Sequence, residues 1–227
     1  MNEPSADDTT TKPHEPSLAA AEGRTGERVG ERVVLYPPPS VIHQRLVGWL
    51  FQLLGVYARL LELGEVFTGP MHMRLKRSGR APDVMFVDAE RLASLHEGYL
   101  EGPADLVIEV ISDGTAGVDR GDKYYEYEEA GVREYWLIDP RAPRQRVEFY
   151  RLDAAGRYQL IEPQDSIFHS EALRDFSLRV DWLWQDPLPD LATTLARVRG
   201  LPHWFGDFIT RALRGGQIPT DLTLPGQ

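Results

Sequence analysis

The chain has 227 residues, 42% of them hydrophobic, and a formal net charge of −10 at pH 7. It contains no cysteine, which excludes disulfides, thiolate metal sites and cysteine nucleophiles. The negative net charge argues against a protein that coats nucleic acid non-specifically, because such binding draws on clustered Lys and Arg.

The first 30 residues are rich in Ser, Thr, Pro, Gly, Asp and Glu and contain few large apolar side chains. Such a composition cannot compensate the entropy of folding, so residues 1–30 are predicted to be a disordered tail. No apolar stretch in this tail resembles a signal peptide, and the later ones are interrupted well short of the roughly 18–20 residues of a membrane span. The sequence therefore predicts a cytoplasmic protein that does not cross a membrane.

Helical periodicity begins after Ser40, which can act as an N-cap. Apolar residues then recur every three or four positions as far as Leu61. The pattern predicts a long first helix from Val41 up to Gly64, with Gly55 as a weak point.

From Val66 the period changes to two, which predicts a half-buried strand with a basic polar face. Residues 71–81 contain no acidic side chain, so their local field opposes the net charge of the chain. This segment is either a track that binds phosphates or a solvated edge that prevents aggregation. Its basic residues are Arg74, Lys76, Arg77 and Arg80.

The remaining pattern alternates strands and helices, joined by a connection at 89–103 that contains a helical turn or two. It predicts strands at Val84–Val87, Asp105–Ser112 and Glu134–Ile138, a helix at Arg120–Ala130, a hairpin around Ala155-Gly156, a helix at Leu191–Val198 and a C-terminal helical segment around Trp204–Leu213. A mixed β-sheet flanked by helices, an α/β fold, follows from this order. The predicted division is a main domain at 31–200 and a C-terminal helical extension at 201–227.

Glu109 lies in the middle of an apolar run, so its charge needs a compensating cation. If the strands at 83–87 and 105–110 pair antiparallel in the register that overlaps them best, Asp83 lies opposite Glu109. Opposed residues have Cβ atoms roughly 4.5–5.5 Å apart on one face, and two carboxylates at this distance favour a hard divalent ion such as Mg²⁺ or Mn²⁺. Asp105 lies about 13 Å further along the strand and is a weaker candidate.

A lysine is available on the first turn of the next predicted helix. Lys123 can compensate Glu109, and Asp119, four residues earlier, either aims Lys123 at the site or holds it away. Tyr127, one turn later, is predicted to be a packing residue whose hydroxyl finds a partner. His43 and Gln44, at the start of the first helix, are predicted to be surface or capping residues.

These residues resemble a known family. Pro82-Asp83 and Glu109-Val110-Ile111 resemble the core of the PD-(D/E)XK nucleases, with isoleucine in the lysine position and the lysine moved to the following helix. The longer string Gly102–Ser112 is similar to the Uma-type family of restriction-endonuclease-like proteins, together with the residues that follow it: Asp119, Lys123, Tyr127, Gly131-Val132 and Glu134–Pro140. The resemblance covers about residues 35–200.

The resemblance implies a restriction-endonuclease-like core with a metal-dependent site for phosphodiester hydrolysis, and we interpret the chain as a Mg²⁺-dependent DNA endonuclease. Asp83 and Glu109 would hold one or two metal ions, and Lys123 would orient the attacking water or neutralise charge. In this interpretation the basic residues of the segment 71–81 hold DNA backbone phosphates. In the fold of these nucleases the first helix can lend a polar group to the metal site, which makes His43 or Gln44 a candidate supporting residue. A homodimer is expected, since a double-strand cut needs two sites.

Two alternatives remain open at the level of sequence. In the first, Glu109 and Lys123 form a structural ion pair in a noncatalytic member of the fold that binds nucleic acid or protein. In the second, the carboxylate pair hydrolyses sugars, which the lysine and the basic segment disfavour.

Overall fold

The computed structural model describes residues 25–29, 32–36, 38–112, 117 and 120–215. Residues 1–24 of the predicted tail and Asp119 lie outside this part of the chain. The elements are, in chain order, β1 (Thr25–Val29), β2 (Arg32–Tyr36), α1 (Val41–Leu60), β3 (Gly64–Thr68), β4 (His72–Arg74), β5 (Ser78–Arg80), β6 (Val84–Asp88), β7 (Leu95–His96), β8 (Tyr99–Glu101), β9 (Leu106–Val110), α2 (Asp122–Ala130), β10 (Glu134–Asp139), β11 (Arg146–Leu152), β12 (Tyr158–Leu160), β13 (Ile167–His169), β14 (Ser177–Arg179), α3 (Leu191–Val198) and α4 (His203–Leu213).

A mixed central sheet organises these elements. Its strand order is β12-β11-β10-β9-β6-β3. Strands β9 and β10 run parallel, and the other neighbouring pairs run antiparallel. A parallel pair needs a crossover connection, and α2 provides it. The predicted α/β architecture, a mixed sheet flanked by helices, is confirmed.

Different helices bury the two faces of this sheet. Phe86 and Ile108 belong to a buried cluster that includes the apolar face of α1. Met85 and Val107 belong to a second cluster, which includes Tyr127 of α2. Because successive residues of a strand point to opposite faces, α1 covers one face and α2 covers the other. Burial on both sides explains why β9 is an almost continuous apolar run.

The first helix forms where the periodicity predicts it. The side-chain oxygen of Ser40 accepts a hydrogen bond from the backbone N–H of His43 at 3.3 Å, as an N-cap does. The helix ends at Leu60, before the predicted Gly64, because Gly64 begins β3 with a φ of +146°. A Cβ at this position would lie 2.1 Å from the carbonyl oxygen of Val87, so the close approach of the two strands requires glycine.

A second sheet, of order β2-β1-β5-β4-β8-β7, departs from the prediction in three places. Strand β1 lies inside the predicted tail, because it pairs with β2 and, over a long sequence separation, with β5. The single strand predicted from Val66 is divided, with β3 in the central sheet and β4 in the second one. Strands β7 and β8 occupy part of the predicted connection at 89–103, after a 3₁₀ turn at Ala89–Ser94.

The C-terminal elements lie close to their predicted positions. The hairpin is confirmed, since β11 pairs antiparallel with β12. Helix α4 packs so closely on α3 that a Cβ on Gly206 would lie 2.4 Å from the Cα of Thr193. The hydroxyl of Thr210 also donates to Asp190 at 2.8 Å. The predicted boundary at residue 200 therefore falls between two helices in contact. Within the described ranges, no helix combines the length and the apolar character that a membrane crossing requires.

Candidate active site

Asp83 and Glu109 lie in opposed strand positions at one end of the central sheet, in the predicted register. Strands β6 and β9 pair with Val84 opposite Ile108, so the next position outward brings Asp83 opposite Glu109. The backbone N–H of Val110 donates to Asp83 Oδ2 at 2.8 Å. This bond fixes the Asp83 carboxylate beside the residue that follows Glu109.

Glu109 is held from the α2 side of the sheet. Its Oε1 lies 2.9 Å from Lys123 Nζ and accepts a hydrogen bond from the hydroxyl of Tyr127 at 2.8 Å. Residues four apart on a helix lie on the same side, which explains how both donors reach one oxygen. The side chains of Glu109 and Lys123 are only 3% and 5% exposed, so solvent screens this ion pair weakly.

The start of α2 differs from the prediction, while its end agrees. The helix begins at Asp122 with Gly121 as N-cap and no side-chain cap bond, whereas the sequence favoured Arg120 as the start. Asp119, the residue before the predicted start, lies outside the described residues. The helix ends at Ala130, where Gly131 has a φ of +89°. Tyr127 is a buried packing residue whose hydroxyl has a partner, as predicted.

Asp83 is held from the α1 side. His43 Nε2 lies 3.1 Å from Asp83 Oδ2. His43 is buried, and its Nδ1 has no hydrogen-bond partner among the described residues. The prediction of a surface or capping histidine is therefore wrong, because the capped first turn of α1 projects His43 inward to Asp83. Gln44, the next residue, is exposed as predicted.

The two carboxylates therefore take their neighbours from helices on opposite faces of the sheet. The sequence predicts both side chains on one face, as for an opposed pair within a ladder. Asp83 lies one residue before β6, however, and its carboxylate bonds to a strand backbone and to α1. The site thus lies at the end of the sheet, between its two helical layers.

The chemistry of the donors fits a hard divalent cation. Two carboxylates supply oxygen ligands, and Mg²⁺ is commonly bound through one or two carboxylates together with water and substrate phosphates. Among the described residues, no group of three or more His, Asp or Glu side chains gathers around one point. A cation bound by Asp83 and Glu109 would therefore complete its coordination with water and substrate.

The predicted basic track is not one surface. The Arg80 side chain is fully buried and donates to both carboxylate oxygens of Glu126, at 2.7 and 3.0 Å. Burial alone would raise the pKa of Glu126, but the hydrogen bonds from Arg80 and Ser78 outweigh it and lower that pKa. The prediction that Arg80 holds phosphates is therefore corrected, because Arg80 joins β5 to α2 in the interior.

The other basic residues of the segment 71–81 reach the surface. Arg74 pairs with Glu101 at 3.3 Å, and Arg77 pairs with Glu129 at 3.6 Å. Lys76 is exposed. Each arginine of this group thus has a carboxylate beside it, which reduces its field toward a polyanion.

Asp105 is a structural residue. It is buried, pairs with Arg91 at 3.2 Å and Arg133 at 3.4 Å, and accepts a hydrogen bond from the backbone N–H of Asp88. These contacts lie at the other end of β9 from Val110. This position agrees with the prediction that Asp105 is a weaker candidate metal ligand than Asp83.

The ionic network at the end of β10 was not predicted from the sequence. Asp139, fully buried, pairs with Arg141 at 2.8 Å and with Arg120 at 3.1 Å. The hydrogen bonds from Arg141 are the largest cause of the lowered pKa of Asp139, about 2, and bonds from Arg120 add to them against the effect of burial. Arg120 also reaches Glu148 at 3.3 Å. The available signal was a second arginine-rich segment without acidic residues, 140–147, directly after a predicted strand.

Comparisons with known proteins agree with this architecture. The profile of a family named Uma2 and described as "Putative restriction endonuclease" matches residues 17–181, more than half of the chain. Among solved structures, the chain is similar to a putative nuclease belonging to DUF820 from Anabaena variabilis ATCC 29413, with a TM-score of 0.59 and 16% sequence identity. This similarity covers 70% of the chain and 89% of that protein, and it shows a shared fold. No curated protein matches the sequence.

Proposed function

Because this chain belongs to the Uma2 family of putative restriction endonucleases, as its motifs predict, we propose that it is an endonuclease that hydrolyses phosphodiester bonds of DNA. The observation that carries the proposal is the placement of two carboxylates and a lysine at the same end of the sheet. Val110 fixes Asp83 beside Glu109, and Lys123 lies 2.9 Å from Glu109.

Four residues around the two carboxylates have distinct roles in the proposed reaction. Lys123 provides a positive charge that orients the attacking water and stabilises the negative charge that develops on the phosphoryl oxygens. Tyr127 and Lys123 hold Glu109 in one orientation, and His43 and the Val110 N–H do the same for Asp83. Carboxylates fixed in advance need little reorganisation when the reaction occurs.

The proposal includes a cofactor, Mg²⁺ or Mn²⁺, for which Asp83 and Glu109 are the ligands. Such an ion would activate water and neutralise charge on the phosphate. Because both carboxylates are ligands, loss of either one is expected to weaken binding of the ion as well as cleavage.

A second candidate function is noncatalytic. The burial of both Glu109 and Lys123 favours it, since buried ion pairs also occur where no chemistry takes place. In that case the chain would keep the fold and bind nucleic acid or protein, and Asp83 would be dispensable.

Plasmid nicking and calorimetric titration of Mn²⁺ on the same samples distinguish the two functions. The variants are Asp83→Asn and Glu109→Gln, each compared with wild type. Matched controls are Asp186→Asn and Glu129→Gln, whose carboxylates are 85% and 55% exposed and lie outside the site.

We expect wild type and both controls to bind Mn²⁺ and nick the plasmid. Asp83→Asn and Glu109→Gln should lose both properties while their thermal unfolding still shows a folded protein. Wild type that binds no Mn²⁺ and nicks no DNA would contradict the nuclease. A large loss of stability in Glu109→Gln without any effect on metal binding would instead favour the structural ion pair.

A further inference from the structure

The end of the sheet that carries Glu109 also carries the arginine-rich network of β10 and β11. In the parallel register Glu109 lies opposite Leu137, and Leu137 in turn lies opposite Glu148 of β11. Neighbouring strands are about 4.8 Å apart, so Glu148 lies roughly 10 Å from Glu109 across two strand spacings. Residues opposed in this way share a face, and for these three it is the face covered by α2.

Within the described part of the chain, three arginines and two carboxylates form the ion pairs of this network. Arg120 and Arg141 pair with Asp139, while Arg120 and Arg146 pair with Glu148, the last at 3.6 Å. Each of the two carboxylates is therefore shared by two guanidinium groups, which it helps to orient.

The loop between β10 and β11 and the start of β11 carry further positive charge. Residues 140–147 contain Arg141, Arg144 and Arg146 and no acidic residue, within a chain of net charge −10. Arg144 is exposed and forms no ion pair within the described ranges, and the Arg146 side chain is 53% exposed. In contrast, the exposed arginines of the segment 71–81 each pair with a carboxylate of their own.

We propose that Arg120, Arg141, Arg144 and Arg146 form a binding surface, here called the arginine rim, for DNA backbone phosphates next to the bond that is cut. This inference rests on the proposed function, which it deepens by naming where the DNA lies. The rim is suited to phosphate because guanidinium groups donate in a planar fork that matches phosphate oxygens. Backbone contacts of this kind position DNA without reading its sequence.

Fluorescence anisotropy with a labelled DNA duplex, in a series of salt concentrations and without divalent cation, tests the rim. The variant is Arg144→Ala/Arg146→Ala, since both side chains are exposed and their loss leaves the buried Asp139 pair intact. The matched control is Arg211→Ala/Arg214→Ala at the C-terminal end of α4, which removes the same charge from exposed positions elsewhere. A second control, Arg144→Lys/Arg146→Lys, keeps the charge and removes the planar fork.

We expect the alanine variant of the rim to bind DNA more weakly. The slope of log K against log salt should become shallower by about 0.9 for each phosphate that the variant no longer binds, or roughly 1 to 2 in total. The lysine variant should keep most of the slope, and the α4 control should behave as wild type. Equal slopes for wild type and the alanine variant, or an equal change in the α4 control, would overturn the rim.

Nicking assays on the same proteins separate this proposal from the proposed function. A wild type that binds DNA through the rim but never nicks it supports the rim and contradicts the nuclease. A wild type that nicks DNA, with the alanine variant equal to it in binding and slope, contradicts the rim alone. If wild type neither binds nor nicks DNA, both proposals fall.

Discussion

At the scale of single residues, the candidate site depends on which neighbour holds which oxygen. Lys123 and Tyr127 share Oε1 of Glu109, whereas His43 and the Val110 N–H share Oδ2 of Asp83. Removal of a neighbour therefore changes the orientation or charge of one carboxylate and leaves the other in place. The Lys123 and His43 side chains can accordingly be tested one at a time.

Lys123→Ala is expected to lower the nicking rate far more than the affinity for Mg²⁺, because both proposed ligands remain while the charge near the phosphate is removed. It should also cost about 3 kcal/mol or more of unfolding free energy, since Glu109 is left buried without this cation. Nicking, calorimetry and urea unfolding measure the three effects. Arg45→Ala, which removes an exposed cation paired with Asp186, is the control. Equal losses of nicking and affinity would mean that Lys123 only organises the site.

His43→Ala is expected to reduce nicking by about tenfold to a hundredfold, since the Asp83 carboxylate loses a bond that orients it. Gln44→Ala, its exposed neighbour, should nick as wild type does. Initial rates at saturating metal, together with thermal unfolding to check the fold, measure the difference. The positioning role is contradicted if the two variants nick at the same rate.

At the scale of elements, close contacts between strands and helices decide where each element can begin. Gly64 starts β3 in a conformation that side chains rarely adopt, against the backbone of β6. Gly48, inside α1, has open space around it, with no atom within 4 Å of an added Cβ. Substitution of glycine by alanine should therefore change the free energy of unfolding in opposite directions at the two positions.

Gly64→Ala is expected to destabilise the protein by about 2 kcal/mol or more, because its Cβ would overlap the Val87 carbonyl oxygen. Gly48→Ala should stabilise it by about 0.5–1 kcal/mol, the difference between the two residues in a helix. Urea unfolding of both variants compares the free energies. A neutral or stabilising Gly64→Ala would contradict the close approach of Gly64 to the backbone of β6.

The end of β10 is expected to give a defined pH dependence. The folded-state pKa of Asp139 is about 2, below its ordinary value of 3.8. The ionised carboxylate therefore stabilises the fold above about pH 4, by about 2 kcal/mol, and this contribution is lost as the pH falls toward 2.

Asp139→Asn should accordingly be less stable than wild type at pH 6, with the difference shrinking toward zero near pH 2. Urea unfolding between pH 2 and pH 6 measures it. Asp186→Asn, at an exposed position, should follow wild type throughout. A difference that stays constant with pH would mean that the ionisation of Asp139 does not stabilise the fold.

At the scale of the whole molecule, the sequence predicts the architecture better than the contacts. Burial on both faces of β9 and the periodicity of α1 are local signals, and both led to the observed elements. The register of Asp83 against Glu109 also followed, because the overlap of two short strands leaves few alternatives. These signals lie within single segments of sequence or in two adjacent strands.

Contacts between distant segments were not predictable in the same way. The burial of Arg80 depends on its ion pair with Glu126, which lies on α2, several strands later in the chain. Nothing in the sequence of a basic segment shows that one of its side chains points into the interior. The position of His43 depends on the angle at which α1 crosses the sheet. The pairing of β1 with β5 joins residues about fifty positions apart, which composition does not reveal.

The location of the site between two helical layers has a consequence for how activity arises during folding. Asp83 is aligned by a residue 40 positions earlier in the chain, and Glu109 by a lysine on the helix that follows it. Neither half of the molecule contains an aligned pair of carboxylates by itself. If the proposed function holds, a nascent or partly unfolded chain would therefore not cleave DNA, and cleavage would begin only after α1 and α2 have both packed on the sheet.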